Sequence, residues 1–324
     1  MTRLVEEDIN TLIVNLKAYD GTLKQQTGMA LVDIAMGAVG RKRPFRSLKV
    51  AVVPVTSGLG IIDGFSDTVC GILRYCGIDA YVTASTDVGG IQEAYRTGAE
   101  MIFMADDDVC SAFSVGSNAY SDNGYATGIG FAAALEIAMR ERKEEKNVLV
   151  LGLGPVGRSA AEYLQQNGCD VWVYDTDSSA MDSFLASHPG VKRLEDSRDK
   201  SKFIYIYDAT PVAHVIEKKD VTENTVIAAP GMPLGVDEDA GKIATVIHNP
   251  LELGILTMYC DCLKQMEETV SVTTWHVING SKNMEPVLKK SSEKECESYG
   301  DRKTGKERTK TIYLQKSGIV SAHQ

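Results

Sequence analysis

The stretch that decides the fold is NVLVLGLGPVGRSAAEYL, which occupies residues 147–164. Its apolar start is typical of a strand and its end is typical of a helix. Between them stands a G-x-G-x-x-G turn. Its first glycine permits a tight turn, the second lets the backbone approach a pyrophosphate, and the third lets helix and strand pack closely. The following helix offers free N–H groups to phosphates. We expect six residues to bind a dinucleotide: Gly152, Leu153, Gly154, Pro155, Val156 and Gly157.

The next predicted strand, DVWVYD, ends in Asp175, 18 residues after Gly157. A carboxylate at this position accepts hydrogen bonds from ribose hydroxyls and repels a 2′-phosphate, and the segment YDTDSS contains no arginine. We therefore predict NAD rather than NADP as the cofactor. The alternative is a structural βαβ unit without a ligand.

Two later turns, DATP and APG, follow further predicted strands of the same unit. The carboxyl ends of parallel strands border the ligand crevice, so we expect these turns to contact the nicotinamide half of the cofactor. The residues assigned to this contact are Ala209, Thr210, Pro211, Pro230 and Gly231.

Composition and charge exclude several classes of partner. The 324 residues carry a net charge of −10, which gives no electrostatic reason to bind nucleic acid or an anionic membrane. No apolar run is long enough to span a bilayer, and the segment MTRLVEEDINTL lacks the pattern of a signal peptide. The 7 cysteines are scattered, with Cys260 and Cys262 too close for ordinary zinc spacing. We expect reduced thiols, no metal and a cytoplasmic protein.

The alternation of strands and helices predicts an α/β protein with two units. Residues 1–140 are expected to form N-terminal helices, divided at Asp20-Gly21, and an α/β substrate domain with three buried strands. Residues 141–270 are expected to form a Rossmann-type, doubly wound NAD-binding domain closed by a helix from Leu253 to about Thr269. Residues 271–324 are rich in Lys, Glu, Ser and Thr, so we predict a disordered tail.

The first unit contains a second glycine turn, TSGLGI, at residues 56–61. It lacks the lysine of a P-loop and the third glycine of a dinucleotide turn, but it offers N–H groups and the hydroxyls of Thr56 and Ser57. These suit a carboxylate or another small polar group. The alternative is a tight turn in which Ser57 caps the next helix.

Three adjacent acids, Asp106 to Asp108, end the third predicted strand of this unit. They form either a solvated loop or an acidic pocket, opposite Thr56 and Ser57, that anchors an amine or accepts a proton. An acidic pocket suits a cationic substrate. The residues alone therefore indicate a hydride-transfer enzyme for an amine-bearing small molecule.

Several motifs together are more specific than the dinucleotide turn. These are PVTSGLGIIDGFS (54–66), TGAEMIFMADD (97–107), Thr127-Gly128-Ile129, VLVLGLGPVG (148–157), DATP (208–211), APGMP (229–233) and NPLELGILTMY (249–259). By them the chain resembles the pyrrolysine synthase family from its N-terminus to about Met266. The resemblance implies NAD-dependent oxidation of the terminal amine of L-lysine-Nε-3R-methyl-D-ornithine to a semialdehyde. Ammonia is released, and ring closure with loss of water gives pyrrolysine. We also expect a homodimer.

The resemblance implies roles for individual residues. Asp107 matches the candidate acid/base position, because a base must deprotonate the amine before hydride can leave. Substrate contacts are expected from six residues: Leu4, Thr56, Ser57, Asp106, Asn123 and Thr127. One departure is Asn249, which stands where the family pattern has a carboxylate. The alternatives are an NAD-dependent amino acid or imine dehydrogenase of another pathway and an NAD-sensing module without turnover.

Overall fold

The computed structural model describes residues 6–41, 45–61, 64–140, 142–249 and 251–279, with the side chains of 6–14 and 270–279 excepted. The predictions on Leu4 and on the tail after Asn279 lie outside these residues. Both sheets belong to one compact unit that ends at Val277. The predicted domain boundary at 140/141 stays a prediction.

The first sheet has five strands in the order β2-β1-β3-β4-β5. The strands are β1 (Lys49–Val53), β2 (Asp79–Val82), β3 (Met101–Ala105), β4 (Cys110–Ser114) and β5 (Tyr120–Asp122). β1, β2 and β3 are parallel and match the three predicted strands, whereas β4 and β5 pair antiparallel at the edge. We did not predict β4 and β5, because their serine-rich sequences CSAFS and YSD lack a long apolar run.

The second sheet has six parallel strands in the order β11-β10-β9-β6-β7-β8. The strands are β6 (Asn147–Leu151), β7 (Asp170–Tyr174), β8 (Lys192–Arg193), β9 (Tyr205–Asp208), β10 (Val226–Ala228) and β11 (Thr245–Ile247). Numbered from β6, this order is 3-2-1-4-5-6, that of the doubly wound dinucleotide-binding fold. The predicted fold class is confirmed. Sequence periodicity missed β8 because two residues carry no pattern.

Nine α-helices connect and cover the sheets within the described residues. They are α1 (Glu6–Thr27), α2 (Leu31–Ala38), α3 (Phe65–Tyr75), α4 (Asp87–Thr97), α5 (Asn123–Met139), α6 (Pro155–Gln166), α7 (Ser178–Ser187), α8 (Glu238–Gly241) and α9 (Glu252–Asn279). The predicted break at Asp20-Gly21 is wrong. α1 runs through it to Thr27, and Gly28 ends the helix with φ +76°. The closing helix α9 also runs ten residues past its predicted end at Thr269.

Helix α5 contacts strands of both sheets and is buried along most of its length. It packs closely on α6 and α9 because glycines stand at the contacts. A Cβ on Gly128 would lie 2.5 Å from the Val156 carbonyl oxygen, and one on Gly130 would lie 2.6 Å from Thr257 Oγ1. This packing fixes the start of α6, and with it the dinucleotide-type turn, beside the helix that follows the first sheet.

Candidate active site

A cavity of about 880 Å³ opens at the carboxyl ends of both sheets. Residues at the ends of β1 and β3 line it on one side, and residues at the ends of β6 and β9 line it on the other. In each sheet these two strands are neighbours at the point where the strand order reverses, which is where open α/β sheets bind ligands. The candidate residues that line the cavity are Asp106, Asp107, Asn123, Thr127, Gly152, Gly154, Pro155, Val156, Asp175, Ala209, Thr210, Pro211, Pro230 and Gly231.

The dinucleotide-type turn has the geometry that its sequence predicts. Gly152 adopts φ +85°, and a Cβ on Gly157 would lie 1.9 Å from the Gly152 carbonyl oxygen. The N-cap of α6 is Gly154, which has no side chain to bond the first N–H groups of the helix and has open space beside its Cα. The start of α6 therefore fits the diphosphate of a dinucleotide. Leu153 and Gly157 shape the turn without lining the cavity.

Asp175 is held beside this turn by backbone donors. The Leu153 N–H donates to its Oδ2 at 2.6 Å, and the Asp177 N–H donates to its Oδ1 at 2.8 Å. The carboxylate lies on the cavity wall next to the end of β7. This is the position from which an acid contacts the ribose in dinucleotide-binding folds.

The DATP and APG turns, which also line the cavity, pack on each other. Asp208 Oδ1 accepts hydrogen bonds from the Thr210 N–H at 3.1 Å and from its hydroxyl at 2.7 Å. A Cβ on Gly231 would lie 2.5 Å from the Thr210 carbonyl oxygen. Burial raises the pKa of Asp208, which is 1% exposed. Asp208 thus fixes the shape of the turn that Thr210 presents to the cavity.

The three acids after β3 have different surroundings. Asp106 Oδ1 accepts from the N–H groups of Asp108 and Val109, at 2.9 and 2.8 Å, and backbone hydrogen bonds lower its pKa. Asp107 is half-buried in the cavity wall, and its Oδ2 accepts from the Leu59 N–H at 2.6 Å. Asp108 is exposed and does not line the cavity. Asp106 and Asp107 therefore both line the cavity, and Asp107 is the more buried of the two.

Thr56 and Ser57 were expected to lie opposite these acids across the cavity. In the structure, the first glycine turn contacts Asp107 through the Leu59 N–H. Thr56 donates its N–H and hydroxyl to Asp87, at 2.8 and 2.6 Å, and does not line the cavity. Ser57 is exposed and also lies outside the lining. It does not cap the next helix, because α3 begins at Phe65 with Gly64 as its N-cap. The substrate roles of Thr56 and Ser57 stay predictions.

The first turn of α5 supplies two polar side chains to the cavity. Asn123 and Thr127 both line it, and the Thr127 hydroxyl donates to Asn123 Oδ1 at 3.1 Å. A Cβ on Gly254 of α9 would lie 2.5 Å from Thr127 Oγ1. This close approach of α9 holds the pair against the cavity.

The sequence did not single out Lys200 in the cavity wall or the buried Glu252 at the start of α9. Lys200 lines the cavity, but it stands in a polar segment without a motif. Glu252 is 1% exposed, and burial raises its pKa to about 7. Asn249 Oδ1 accepts from the N–H groups of Leu251 and Glu252, at 2.9 and 2.7 Å, so it caps α9. The motif NPLELG pointed to this segment but not to these contacts.

A dinucleotide-type turn and an acidic wall that share one cavity, on a doubly wound fold, define the class of Rossmann-type oxidoreductases. Residues 8–121 match the family model described as "Pyrrolysine biosynthesis protein PylD, N-terminal domain". The chain is 36% identical over 261 residues to pyrrolysine synthase from Methanosarcina barkeri, covering 80% of this chain and 97% of the relative. It is 34% identical over 261 residues to pyrrolysine synthase from Methanosarcina acetivorans, covering 80% and 98%. The chain belongs to the pyrrolysine synthase family and is an enzyme.

Solved structures show a more distant likeness. The shikimate dehydrogenase of Aquifex aeolicus is 14% identical with a TM-score of 0.45, over 75% of this chain and 96% of that chain. A quinate dehydrogenase from Corynebacterium glutamicum in complex with NAD is 14% identical with a TM-score of 0.44, over 69% and 99%. None of the helices described between residues 6 and 279 is long and apolar enough to cross a membrane.

Proposed function

We propose that this enzyme oxidises the terminal amine of the methylornithyl part of L-lysine-Nε-3R-methyl-D-ornithine with NAD and forms pyrrolysine. The amine gives up a proton and a hydride to become an iminium ion, and water converts this ion to a semialdehyde and ammonia. The aldehyde then condenses with the ornithyl α-amine and loses water, which closes the ring. Membership of the pyrrolysine synthase family supports this substrate.

The observation that carries the proposal is the single cavity shared by the dinucleotide-type turn and Asp107. NAD, when bound, supplies the acceptor for the hydride. The open start of α6 would hold its diphosphate, and Asp175 would accept hydrogen bonds from its ribose. The turns around Thr210 and Gly231 would border its nicotinamide.

Asp107 would act on the substrate from the opposite wall. An alkyl amine has an ordinary pKa of about 10, so it carries a proton that must leave before hydride transfer. The Asp107 carboxylate can accept that proton directly or through one water molecule. The negative charge of Asp106 and Asp107 also favours a cationic substrate over a neutral one.

The test incubates the purified full-length protein with NAD and the lysine–methylornithine isopeptide. NADH formation, followed by absorbance, should accompany a product whose mass shows the loss of ammonia and of two hydrogens. Turnover of a free amino acid but not of the isopeptide would instead establish a dehydrogenase of another pathway. NADH binding without any turnover would establish a sensing module. The homodimer and the cytoplasmic location stay predictions.

A further inference from the structure

Lys200 is the only cationic side chain among the described residues that line the cavity. It belongs to the short 3₁₀ segment Ser197–Lys202 that follows β8, and its side chain is 12% exposed. Three acids line the same cavity: Asp106, Asp107 and Asp175. A partly buried lysine in such a cavity is placed to interact with an anionic group of a ligand.

The position of Lys200 indicates which anionic group of a ligand it could meet. β8 pairs with β7, and the residues after β7, Asp175 and Thr176, line the cavity together with Ser197 and Lys200. These segments follow the carboxyl ends of the neighbouring parallel strands β7 and β8, on the side where Asp175 would contact the ribose. The group that distinguishes NADP from NAD is a 2′-phosphate on that ribose, and an unpaired cation at this place favours it.

The charge of Lys200, however, is already balanced. Its Nζ lies 3.3 Å from Asp220 Oδ2, and the Asp220 side chain is 2% exposed. Asp220 cannot easily turn away, because the Glu217 N–H also donates to Oδ2 at 2.9 Å in a reciprocal capping arrangement. The pair therefore presents almost no net charge to the ribose side of the cavity.

We propose that Asp220 is a second determinant of coenzyme choice, acting from behind the cavity wall by neutralising Lys200. Lys200 then remains a donor for uncharged ribose or adenine atoms but offers no unpaired charge to a 2′-phosphate. This role adds to the direct repulsion by Asp175, and it rests on the proposed use of NAD.

The test measures the affinities of the full chain for NADH and NADPH by fluorescence titration. Asp220→Asn keeps the size of the side chain and an oxygen for the Glu217 N–H, but it removes the negative charge. The ratio of NADPH affinity to NADH affinity should rise about tenfold, the scale of an unpaired charge acting across several ångströms of partly screened space. The gain should shrink as salt is raised, because exposed charges are screened. Adding Lys200→Met to Asp220→Asn should abolish the gain.

A matched control is an ion pair between strands β7 and β8. Lys192 Nζ lies 2.7 Å from Asp170 Oδ2, at the start of β7, and neither residue lines the cavity. Asp170→Asn removes a similar ion pair and should leave the NADH to NADPH ratio unchanged. A change as large as that of Asp220→Asn would show that the effect comes from overall charge and would overturn the proposal.

A second variant covers the case in which Asp220→Asn does not fold. Lys200→Met leaves Asp220 without its cation and should weaken NADPH binding several-fold more than NADH binding. An unchanged ratio in Lys200→Met, or in a folded Asp220→Asn, overturns the role of Asp220. A wild-type protein that binds neither coenzyme overturns the proposed function itself, so the two failures are distinguishable.

Discussion

Two glycine turns of this molecule, Gly58-Leu59-Gly60 and Gly152-Leu153-Gly154, use the same local device in different surroundings. In each, a strand-end aspartate accepts a hydrogen bond of 2.6 Å from the N–H of the central leucine. Asp107 plays this part in the first turn, and Asp175 plays it in the second. Each turn also comes after the strand at which its sheet reverses order.

The two turns differ in burial and in the distance to the next helix. Leu153 is 2% exposed and belongs to the core, whereas Leu59 is 79% exposed. The second turn leads directly into α6 and presents a helix start, while the first continues to Gly64 before α3 begins. The second turn is thus fixed by packing and suits phosphates, and the first relies on Asp107 and brings a carboxylate to the ligand. A shared glycine pattern does not by itself imply a shared ligand.

The largest expected effect comes from removing the basicity of Asp107. Asp107→Asn keeps the size of the side chain and an acceptor for the Leu59 N–H, but it takes up no proton. Turnover should fall by about 10²–10⁴-fold, the usual share of general acid–base catalysis, while NADH affinity stays near that of the wild type. Steady-state kinetics and a coenzyme titration measure the two quantities.

Asp106→Asn is the matched control for Asp107. Backbone donors already occupy Asp106 Oδ1, so this change should leave most of the turnover intact. If Asp106→Asn loses activity and Asp107→Asn retains it, the base is Asp106 and the contrast between the two turns fails.

The next prediction concerns Glu252, the first residue of α9. The buried carboxyl has a pKa of about 7 in the folded protein against an ordinary value of 4.5. Between these two pH values the folded state keeps a proton that the unfolded state has lost, so stability falls as pH rises. The loss reaches about 3 kcal/mol above pH 7. Glu252→Gln should match the wild type in urea unfolding at low pH and exceed its stability at pH 8. Parallel pH profiles of the two proteins would contradict the burial of an ionisable carboxyl here.

Substituting one glycine in each turn tests whether that glycine is needed for close backbone packing or for the position of a catalytic side chain. A Cβ at Gly157 would meet the Gly152 carbonyl oxygen at 1.9 Å, and backbone cannot yield there. Gly157→Ala should cost about 1–3 kcal/mol of stability and weaken NADH binding. Gly154→Ala is the control for stability alone, because the open space beside that position belongs to the cavity in which the diphosphate would bind.

The equivalent clash in the first turn involves a side chain. A Cβ at Gly58 would lie 2.1 Å from Asp107 Oδ2, at a position with φ +67°. Because the carboxylate can move, Gly58→Ala should lower turnover through displacement of Asp107 and leave NADH affinity unchanged. Equal losses of coenzyme affinity in Gly58→Ala and Gly157→Ala would show that the turns are not specialised.

The sequence alone predicted part of the fold and part of the candidate site. Long apolar runs and the spacing of Gly152, Gly154 and Gly157 predicted the parallel strands and the dinucleotide-type turn, because both depend on local pattern. The edge strands β4 and β5 were missed because they exist through pairing with β3. The family resemblance already selected Asp107 among the three acids after β3, but the different backbone hydrogen bonds of Asp106 and Asp107 become visible only when the chain is folded.

The selectivity of the second turn should depend on Asp175. Asp175→Arg removes the acceptor for ribose hydroxyls and supplies a partner for a 2′-phosphate. The preference for NADH over NADPH should fall by about tenfold or more, on the scale of one charge reversal near a phosphate. Turnover with the preferred coenzyme should change much less than in Asp107→Asn. If the coenzyme preference is unchanged, Asp175 does not select the ribose, and the likeness between the two turns is only structural.

The smallest expected effect tests Asn249, which departs from the carboxylate of the family pattern. Its side chain caps α9, whose Gly254 packs against Thr127 in the cavity wall. Asn249→Ala removes the acceptor for two N–H groups and should cost about 1 kcal/mol of stability. Asn249→Asp keeps the cap and adds a charge that the helix dipole favours, so it should cost less. Because the cap supports the helix that packs on Thr127 in the cavity wall, Asn249→Ala should lower turnover and NADH affinity by similar small factors. A large loss of turnover with normal stability would instead show that Asn249 contacts the substrate, as the carboxylate in the family pattern would suggest.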